Sequence, residues 1–558
     1  MTRLLLVLLG VSVLVPASAS AQTAPRTSTP TESVRQDLRT RIEAQHHGLD
    51  ALEVQGDEVQ APKTIRHFYE QRAFAPVWID DRGPRAAVDS LLAVLTRAVR
   101  DGLRPAAYHL DALQSLREQA KKSRRAAPGR LADLELLSTD AFLLYASHLL
   151  TGRVSPTDIT PSWNIPQREA DLVQKLASVA GGGSVSRVVE SLRQPQPEYT
   201  RLVRALDRYR HITALGGWPT VPEGPTLRKG EEGERITLLR ERLQVTGDLP
   251  TDQTEPVDTF DTALHEAVVR FQERHGLNPD GAVGPATRAA LNVSAEDRVR
   301  QLVVNLERWR WLPQDLGHRH VLVNIAGFRL QVVENGEDVM QMRVITGRPY
   351  RQTPVFSGEI SYLVFNPYWH VPHSIATEDK LPEIKNDPGY LARQGFEVFQ
   401  GWGADARPID PSTIDWSRLS QKNFPYRLRQ KPGPLNALGR VKFMFPNPHS
   451  VYLHDTPTRG LFARADRSFS SGCIRVERPM ELAEYLLDDQ TEWSAQKIQD
   501  ALDTSSAERA VILREKVPVH LQYWTAWADE GGAVHFRRDV YERDEALHQA
   551  LTAPASAK

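Results

Sequence analysis

The sequence predicts a multidomain α+β protein: a helical scaffold, a small three-helix module, and a mainly β domain carrying a lid-like insertion. Three observations carry that prediction. Apolar residues recur at helical spacing from about Ile65 to Gly216. A compact unit with its own turn punctuation lies between Leu227 and Asn292. After a charged helix over Asp297 to Arg310, the periodicity becomes that of strands. At 558 residues the chain has room for roughly three to four domains.

Composition narrows the class. Hydrophobic residues make up 41% and charged residues 25%, an ordinary globular balance. Lys plus Arg is 69 against 70 for Asp plus Glu, so no general field draws the chain to nucleic acid or to an anionic membrane surface. At the N-terminus, Met1-Thr2-Arg3 precedes the apolar run Leu4 to Val15, Pro16, and two small-x-small sites at Ala17-Ser18-Ala19 and Ala19-Ser20-Ala21. Such a run spans about 18 Å as a helix, short of the ~30 Å bilayer core. Residues 1–21 therefore read as a cleaved signal peptide and the mature protein as exported. Export makes the cysteine count informative. Cys473 is the one cysteine in the sequence, so no intramolecular disulfide forms. Two readings remain for it, a buried small apolar residue or a reactive thiol.

In chain order, residues 22–62 are rich in Thr, Ser, Pro, Gln and charge and read as a flexible lead-in with one short helix around Val34 to Leu52. Residues 63–226 form the helical scaffold: Val88, Leu91, Leu92 and Leu95 share one face, as do Leu131, Leu134 and Leu137. No catalytic constellation occurs there. In 227–295, Ile236, Leu239 and Leu243 mark a first helix and Leu264, Val268 and Phe271 a second; Gly284-Pro285 opens a third. The main β domain is read over 296–545. Its strands include Val321 to Ile325, Phe328 to Val333, Val339 to Thr346 after the Asn335-Gly336 turn, Ile360 to Phe365, Val441 to Phe445 and Ser450 to His454. Between them, residues 372–439 are rich in Pro, Gly, Trp and charge, a loop-rich insertion of the kind that forms a lid or channel wall. A last strand-like pair, Val517 to Trp524 and Ala533 to Phe536, turns at Glu530-Gly531-Gly532, and 546–558 is a tail.

The densest chemistry lies in Tyr452-Leu453-His454-Asp455-Thr456-Pro457 and Ser470-Ser471-Gly472-Cys473-Ile474-Arg475-Val476. A thiolate is the nucleophilic form of cysteine, so a useful Cys needs a base or positive charge nearby. His454 stands nineteen residues upstream of Cys473 and Arg475 two downstream. Gly472 permits close backbone approach, and the amides at Gly472 and Cys473 are candidates to face an oxyanion. This is the pattern of a Cys/His acyl-transfer site. Ser470 and Ser471 have two readings, hydrogen-bond donors to substrate or parts of a tight loop. Asp455 likewise either orients the imidazole or forms the turn before Thr456-Pro457, a backbone carbonyl then orienting the ring. His370 and His373 lack a third ligand at metal-binding spacing. Trp402 and Trp416 either contact sugar or peptide or pack the insertion.

These motifs resemble the signature of L,D-transpeptidases with a YkuD-type catalytic domain, and within them the large periplasmic YcbB-like group. The resemblance extends through Asn305-Leu306-Glu307-Arg308-Trp309-Arg310-Trp311-Leu312-Pro313, Thr353-Pro354-Val355-Phe356, Asn366-Pro367-Tyr368-Trp369-His370-Val371-Pro372 and Phe536-Arg537-Arg538-Asp539-Val540-Tyr541. The stretch Phe68 to Trp78 resembles the same group's helical scaffold, and Phe271 to Asn292 a three-helix peptidoglycan-binding domain. The resemblance implies Cys473 as nucleophile, His454 as its base, Gly472 and Cys473 as oxyanion amides, Tyr452 in the acyl-donor site and Arg475 on a substrate carboxylate. Many smaller relatives carry His before Gly-Cys and Asn two after it, where this chain has Ser471 and Arg475; contacts taken from those relatives are therefore in doubt. It further implies peptidoglycan stem peptides and glycan as partners, 3→3 cross-linking with release of D-alanine, no cofactor, inhibition by carbapenem-type β-lactams, and a periplasmic place in the cell envelope. An L,D-carboxypeptidase and a non-catalytic wall-binding protein are the alternatives.

Overall fold

The structure is a computed structural model that describes residues 29–44, 52–122, 127–161, 163–251, 258–401, 403–503 and 507–553. The signal-peptide segment 1–21 and Trp402 lie outside the described residues.

The helical part is built round α2 (Pro128–Thr151), whose apolar residues are buried on nearly every side. Its buried carboxylates serve neighbouring loops. Glu135 accepts from Tyr69 Oη at 2.6 Å and from the Val77 and Trp78 amides at 2.5 and 2.9 Å. Asp140 accepts from the Gln60 and Ala61 amides at 3.1 and 2.8 Å, and lies 2.8 Å from His109 Nε2. A buried amide left without an acceptor costs about 1–3 kcal/mol, so these carboxylates fix the paths of the loops they reach. The lead-in holds a helix where one was expected, but α1 (Pro30–Ala44) starts earlier than Val34 and is packed: its Val34, Leu38 and Ile42 recur every fourth residue and are buried in the scaffold core. A narrow stripe among polar residues looks flexible in isolation, yet it completes α2's apolar face.

α3 (Pro197–Ala214) leaves this core and joins that of the β domain. The three-helix module follows as α4 (Glu234–Val245), α5 (Thr262–Arg274) and α6 (Pro285–Leu291), packed through Ile236, Leu239, Leu243, Leu264, Val268 and Phe271. Asp261 caps α5 by accepting from the Leu264 amide at 2.7 Å. α7 (Ala295–Arg310) then carries the joints between parts. Glu307 accepts from the Val154 amide at 2.7 Å and pairs with fully buried Arg310, which donates to the Asp101 carbonyl. Trp309 stacks on Trp524 with centroids 4.3 Å apart.

The β domain is one sheet that closes on itself. Its strands are β1 (Arg319–Asn324), β2 (Arg329–Glu334), β3 (Glu337–Gly347), β4 (Phe356–Phe365), then, beyond the insertion, β9 (Val441–Met444), β10 (Leu453–His454), β11 (Ser468–Ser470), β12 (Ile474–Val476) and β13 (Arg509–Gln522). The order is β11-β3-β12-β10-β9-β4-β13-β1-β2, and β2 also pairs with β3 to close the ring. The insertion's strands are β5 (Trp369–His370), β6 (Phe396–Gln400), β7 (Arg407–Ile409) and β8 (Tyr426–Gln430). They form a separate sheet, β7-β6-β8-β5, over a core that includes Val398, Phe424 and Leu428. The insertion is thus a folded subdomain and not mainly loop. Trp416 packs partly buried against that core.

The final segment also departs from expectation. Val517 to Gln522 lies within β13, parallel to β1 and antiparallel to β4, so it does not pair with Ala533 to Phe536. That partner is β14 (Ala526–Ala528), joined to β15 (Val534–Phe536) across the Glu530-Gly531-Gly532 turn. The tail is helical over α8 (Asp544–Thr552), whose Leu547 and Leu551 are buried beside Val154 and Trp311. No helix among the described residues is long and apolar enough to cross a membrane.

The docking of α1 is testable. Leu38→Ala opens a hole in a side chain that is 0% exposed, and should lower unfolding free energy by about 2–5 kcal/mol in denaturant titration. A change below ~0.5 kcal/mol would show that α1 does not pack there.

Candidate active site

β10 and β12 lie side by side and parallel, with Leu453 opposite Ile474 and His454 opposite Arg475. Cys473 immediately precedes β12 and so stands beside Tyr452; the Ile474 amide donates to the Tyr452 carbonyl at 3.1 Å. The sheet thereby brings Cys473 and His454 to one cavity of about 1020 Å³, which Ser470, Ser471, Tyr452 and Arg475 also line.

The nucleophile loop is held from inside. Gly472 has φ +117°, a conformation that L side chains rarely adopt. Ser470 Oγ accepts from the Gly472 amide at 3.1 Å and donates to the Cys473 carbonyl at 2.5 Å. Thr353 Oγ1 donates to the Gly472 carbonyl at 2.8 Å and accepts from the Gly347 amide at 2.9 Å. Tyr541 Oη accepts from the Thr353 amide at 3.1 Å and donates to the Gly347 carbonyl at 2.7 Å. One expectation changes here: the Gly472 amide is spent on Ser470 and is not free for an oxyanion. Ser470 is 2% exposed and is a loop pin; Ser471 turns outward and accepts from Arg351 Nη1 at 2.9 Å.

His454 is 4% exposed, and its Nδ1 sits 2.5 Å from the Asp455 backbone carbonyl. That contact assigns the proton to Nδ1 and leaves Nε2 with the lone pair. The Asp455 carboxylate does not orient the ring. It accepts from the Thr456 and Arg440 amides at 2.6 and 2.8 Å and pairs with Arg459 at 2.6 Å. Gly439, at φ +62°, leaves room for it: a Cβ there would stand 2.3 Å from Asp455 Cγ.

The charges oppose one another usefully. Burial pushes the Cys473 thiol above its ordinary range, while the Tyr452 amide and hydroxyl, Arg475 and Lys442 pull it back. Burial, then Arg475, push His454 down to about 3, with Lys442 adding to the effect and the Asp455 carbonyl opposing it. The resting pair is a neutral thiol and a neutral imidazole. Arg475 Nε is buried with no hydrogen-bond partner, and burial followed by Arg348 depresses its guanidinium. Lys442, opposite His454 in register, lies 5.8 Å from the Tyr452 ring centroid.

Sequence reasoning missed Lys442, Arg348, Arg351, Thr353 and Tyr541 as parts of the site. Thr353 and Tyr541 lay in segments that carried the family resemblance, so the signal was present without a role attached. Lys442 reads in sequence as one polar residue of an alternating strand. Among the described residues no group of three or more His, Cys, Asp or Glu could hold a metal ion.

Comparison with known proteins fits this geometry. Residues 318–503 match the family described as L,D-transpeptidase catalytic domain, residues 63–206 a scaffold domain, and residues 232–291 a family provisionally described as peptidoglycan binding. The chain therefore carries an L,D-transpeptidase catalytic domain of the YkuD type, a cysteine-dependent family, over residues 318–503, preceded by scaffold and peptidoglycan-binding-type domains. A Haemophilus influenzae protein provisionally named L,D-transpeptidase is 38% identical over 258 residues, 46% of this chain and 51% of that protein. The N-acetylmuramoyl-L-alanine amidase CwlM of Mycobacterium tuberculosis is 36% identical over 80 residues, 13% of this chain and 20% of that protein. The chain thus spans about half or less of the curated relatives it matches. Among solved structures, the L,D-transpeptidase of Xylanimonas cellulosilytica aligns at 16% identity and TM-score 0.18, over 54% of this chain and 98% of that one. One from Mycobacterium smegmatis aligns at 13% identity and TM-score 0.18, over 37% and 58%.

Two predictions follow from the loop and its charges. Thr353→Val keeps shape but removes the hydroxyl from two buried bonds; it should cost about 1–3 kcal/mol in denaturant unfolding and slow acylation of Cys473 by a β-lactam about tenfold or more, read by intact mass. Unchanged acylation would remove Thr353 from the support of the loop. The pH profile of Cys473 alkylation by iodoacetamide should have its midpoint above the ~8.5 of free cysteine, and Arg475→Gln should move it higher still, since that cation favours the thiolate. A midpoint below that of free cysteine contradicts the assignment.

Proposed function

We propose that this protein is a peptidoglycan L,D-transpeptidase that forms 3→3 cross-links between stem peptides. One observation carries the reading: the thiol and a singly oriented imidazole share a cleft with a half-buried arginine, Arg475, that pairs with no carboxylate among the described residues. An arginine without a counter-ion in a cleft is suited to an anionic substrate, and stem peptides carry several carboxylates. The peptidoglycan-binding-type module supports the same substrate, and such a substrate places the protein in the cell envelope.

In this mechanism Cys473 Sγ bonds to the carbonyl carbon of the donor stem's third residue while its proton passes to His454 Nε2. The Cys473 amide faces the oxyanion. The C–N bond then breaks as Nε2 returns the proton to the departing D-alanine amine, leaving a thioester. The side-chain amine of another stem's third residue attacks that thioester. A carboxylate on Arg475 offsets part of the positive field that depresses His454, so the base gains strength when substrate arrives. The same thiol would open a carbapenem-type β-lactam to a stable acyl-enzyme.

The test is incubation with purified disaccharide-tetrapeptide, analysed by mass spectrometry beside Cys473→Ala. The expected product is a cross-linked dimer from which one D-alanine has been lost, absent with the variant. Tripeptide alone would make the protein an L,D-carboxypeptidase. Unchanged substrate with no covalent adduct would leave a wall-binding protein.

A further inference from the structure

The cavity that holds Cys473 is lined from two parts of the β domain, the barrel-like sheet and the lid. The catalytic wall carries Arg475, on the strand that begins at the nucleophile, and Arg348. The lid wall carries Lys380, the last residue of a π-helical turn over Ala376–Lys380. π-Helical turns recur at functional sites because they re-aim side chains out of the regular helical stripe.

The acidic neighbours of Lys380 are already engaged. Glu378 and Asp379 pair with Arg351 at 2.5 and 2.6 Å, and that guanidinium also donates to Ser471 Oγ. Both carboxylates of the lid's acidic pair are thus held on Arg351, which offsets one of their two charges, and the turn is pinned to the nucleophile loop. Lys380 itself has no carboxylate partner among the described residues. Its Nζ donates to Tyr390 Oη at 3.1 Å and lies 5.7, 5.8 and 6.0 Å from the ring centroids of Trp369, Tyr390 and Phe396. Aromatic faces and a phenol hold an ammonium in place without cancelling its charge. The result is a positioned cation in the lid's part of the cavity lining, beside Trp369.

The cavity, about 1020 Å³, is at the upper limit of the ~300–1,000 Å³ usual for one small ligand. The donor must lie against Sγ, on the wall of Arg475 and Arg348. An anion on Lys380 therefore belongs to the molecule that approaches the thioester from the lid side. We infer that Lys380 selects the acceptor stem, binding the carboxylate on the carbon that bears the attacking amine of a diaminopimelate-type side chain. The inference rests on the transpeptidase reading above. In the step concerned, the acceptor nitrogen bonds to the thioester carbonyl carbon and the C–S bond breaks. One amine proton passes through His454 Nε2 to the departing thiolate, and no proton moves at Lys380.

The experiment uses the full chain, disaccharide-tetrapeptide as donor, and two acceptor tripeptides ending in meso-diaminopimelate or in L-lysine, which lacks that carboxylate. Wild type, Lys380→Gln and Lys380→Arg are compared for acyl-enzyme formation by intact mass and for cross-linked product by mass spectrometry. Wild type should prefer the diaminopimelate acceptor. Lys380→Gln should acylate at the wild-type rate yet lose about tenfold of that preference, its thioester passing to water, and Lys380→Arg should recover most of it. Retained preference in Lys380→Gln overturns the inference, as does a parallel fall in acylation, which would make Lys380 a support of the lid. A wild type that never acylates overturns the transpeptidase reading, and this inference with it.

Discussion

The parallel pairing of β10 with β12 is the constraint on which the site depends. In a parallel pair the two chains leave the sheet in the same direction, so the residues preceding each strand, Tyr452 and Cys473, emerge at one edge. A parallel connection also needs a long crossover. Residues 455–473 supply it, with β11 laid parallel to the end of β3 on the way back. The nucleophile and its base are therefore not two independent side chains in a pocket. They stand two registers apart along one ladder, and any slip of β12 moves Cys473 and Arg475 together relative to His454. The positive φ of Gly472 completes this geometry, because it turns the chain into β12 while Thr353 holds the Gly472 carbonyl from behind and Tyr541 ties Thr353 to Gly347 at the end of β3.

That rigidity gives the electrostatics their meaning. Arg475 and Lys442 each favour the thiolate and each disfavour the imidazolium, so neither half of the pair is charged in the empty cleft. A site that held a free thiolate in a solvent-accessible cleft would be open to oxidation. In the proposed reaction ionisation would be coupled to arrival of an anion: a substrate carboxylate on Arg475 would also be the charge that restores basicity to His454. Recognition and activation then draw on one guanidinium, which makes Arg475 a poor position for a lysine, whose point charge cannot hold a carboxylate in a two-bond fork.

Much of this was legible in the sequence because it is local. Cys473, Gly472 and Arg475 lie within four residues, and His454 with Tyr452 within three, so their pattern survives without knowledge of the fold. The three-helix module was equally plain, since its apolar spacing, Pro285 and turn glycines agree. What stayed hidden depends on distant pairing. The lid's strands run only two to five residues, and β8 reads as alternating Arg and apolar residues, a pattern that solvent-exposed loops share. α1 looked flexible because its three buried residues need α2 to be meaningful. β13 was assigned to a local hairpin, whereas its parallel partner β1 lies almost two hundred residues earlier in the chain. The Gly472 amide was misread for another reason. Its orientation is set by Ser470, and a motif records which residues are present but not which donor has been spent.

The lid and the nucleophile loop meet through Arg351, a residue to which no motif drew attention. Its guanidinium reaches Glu378 and Asp379 on one side and Ser471 on the other, and the ion pairs raise its own affinity for a proton. Half of this contact is solvent-facing, so its strength is modest and salt-sensitive. Such a joint is strong enough to set the position of the lid turn yet weak enough to exchange for solvent when a bulky stem enters. Because it bonds to the residue two before Cys473, lid position and loop position are not separable. In the proposed reaction the cleft would admit two peptides in succession and draw on that coupling: the first substrate would settle beside Cys473 while the lid kept its part of the lining in register for the second.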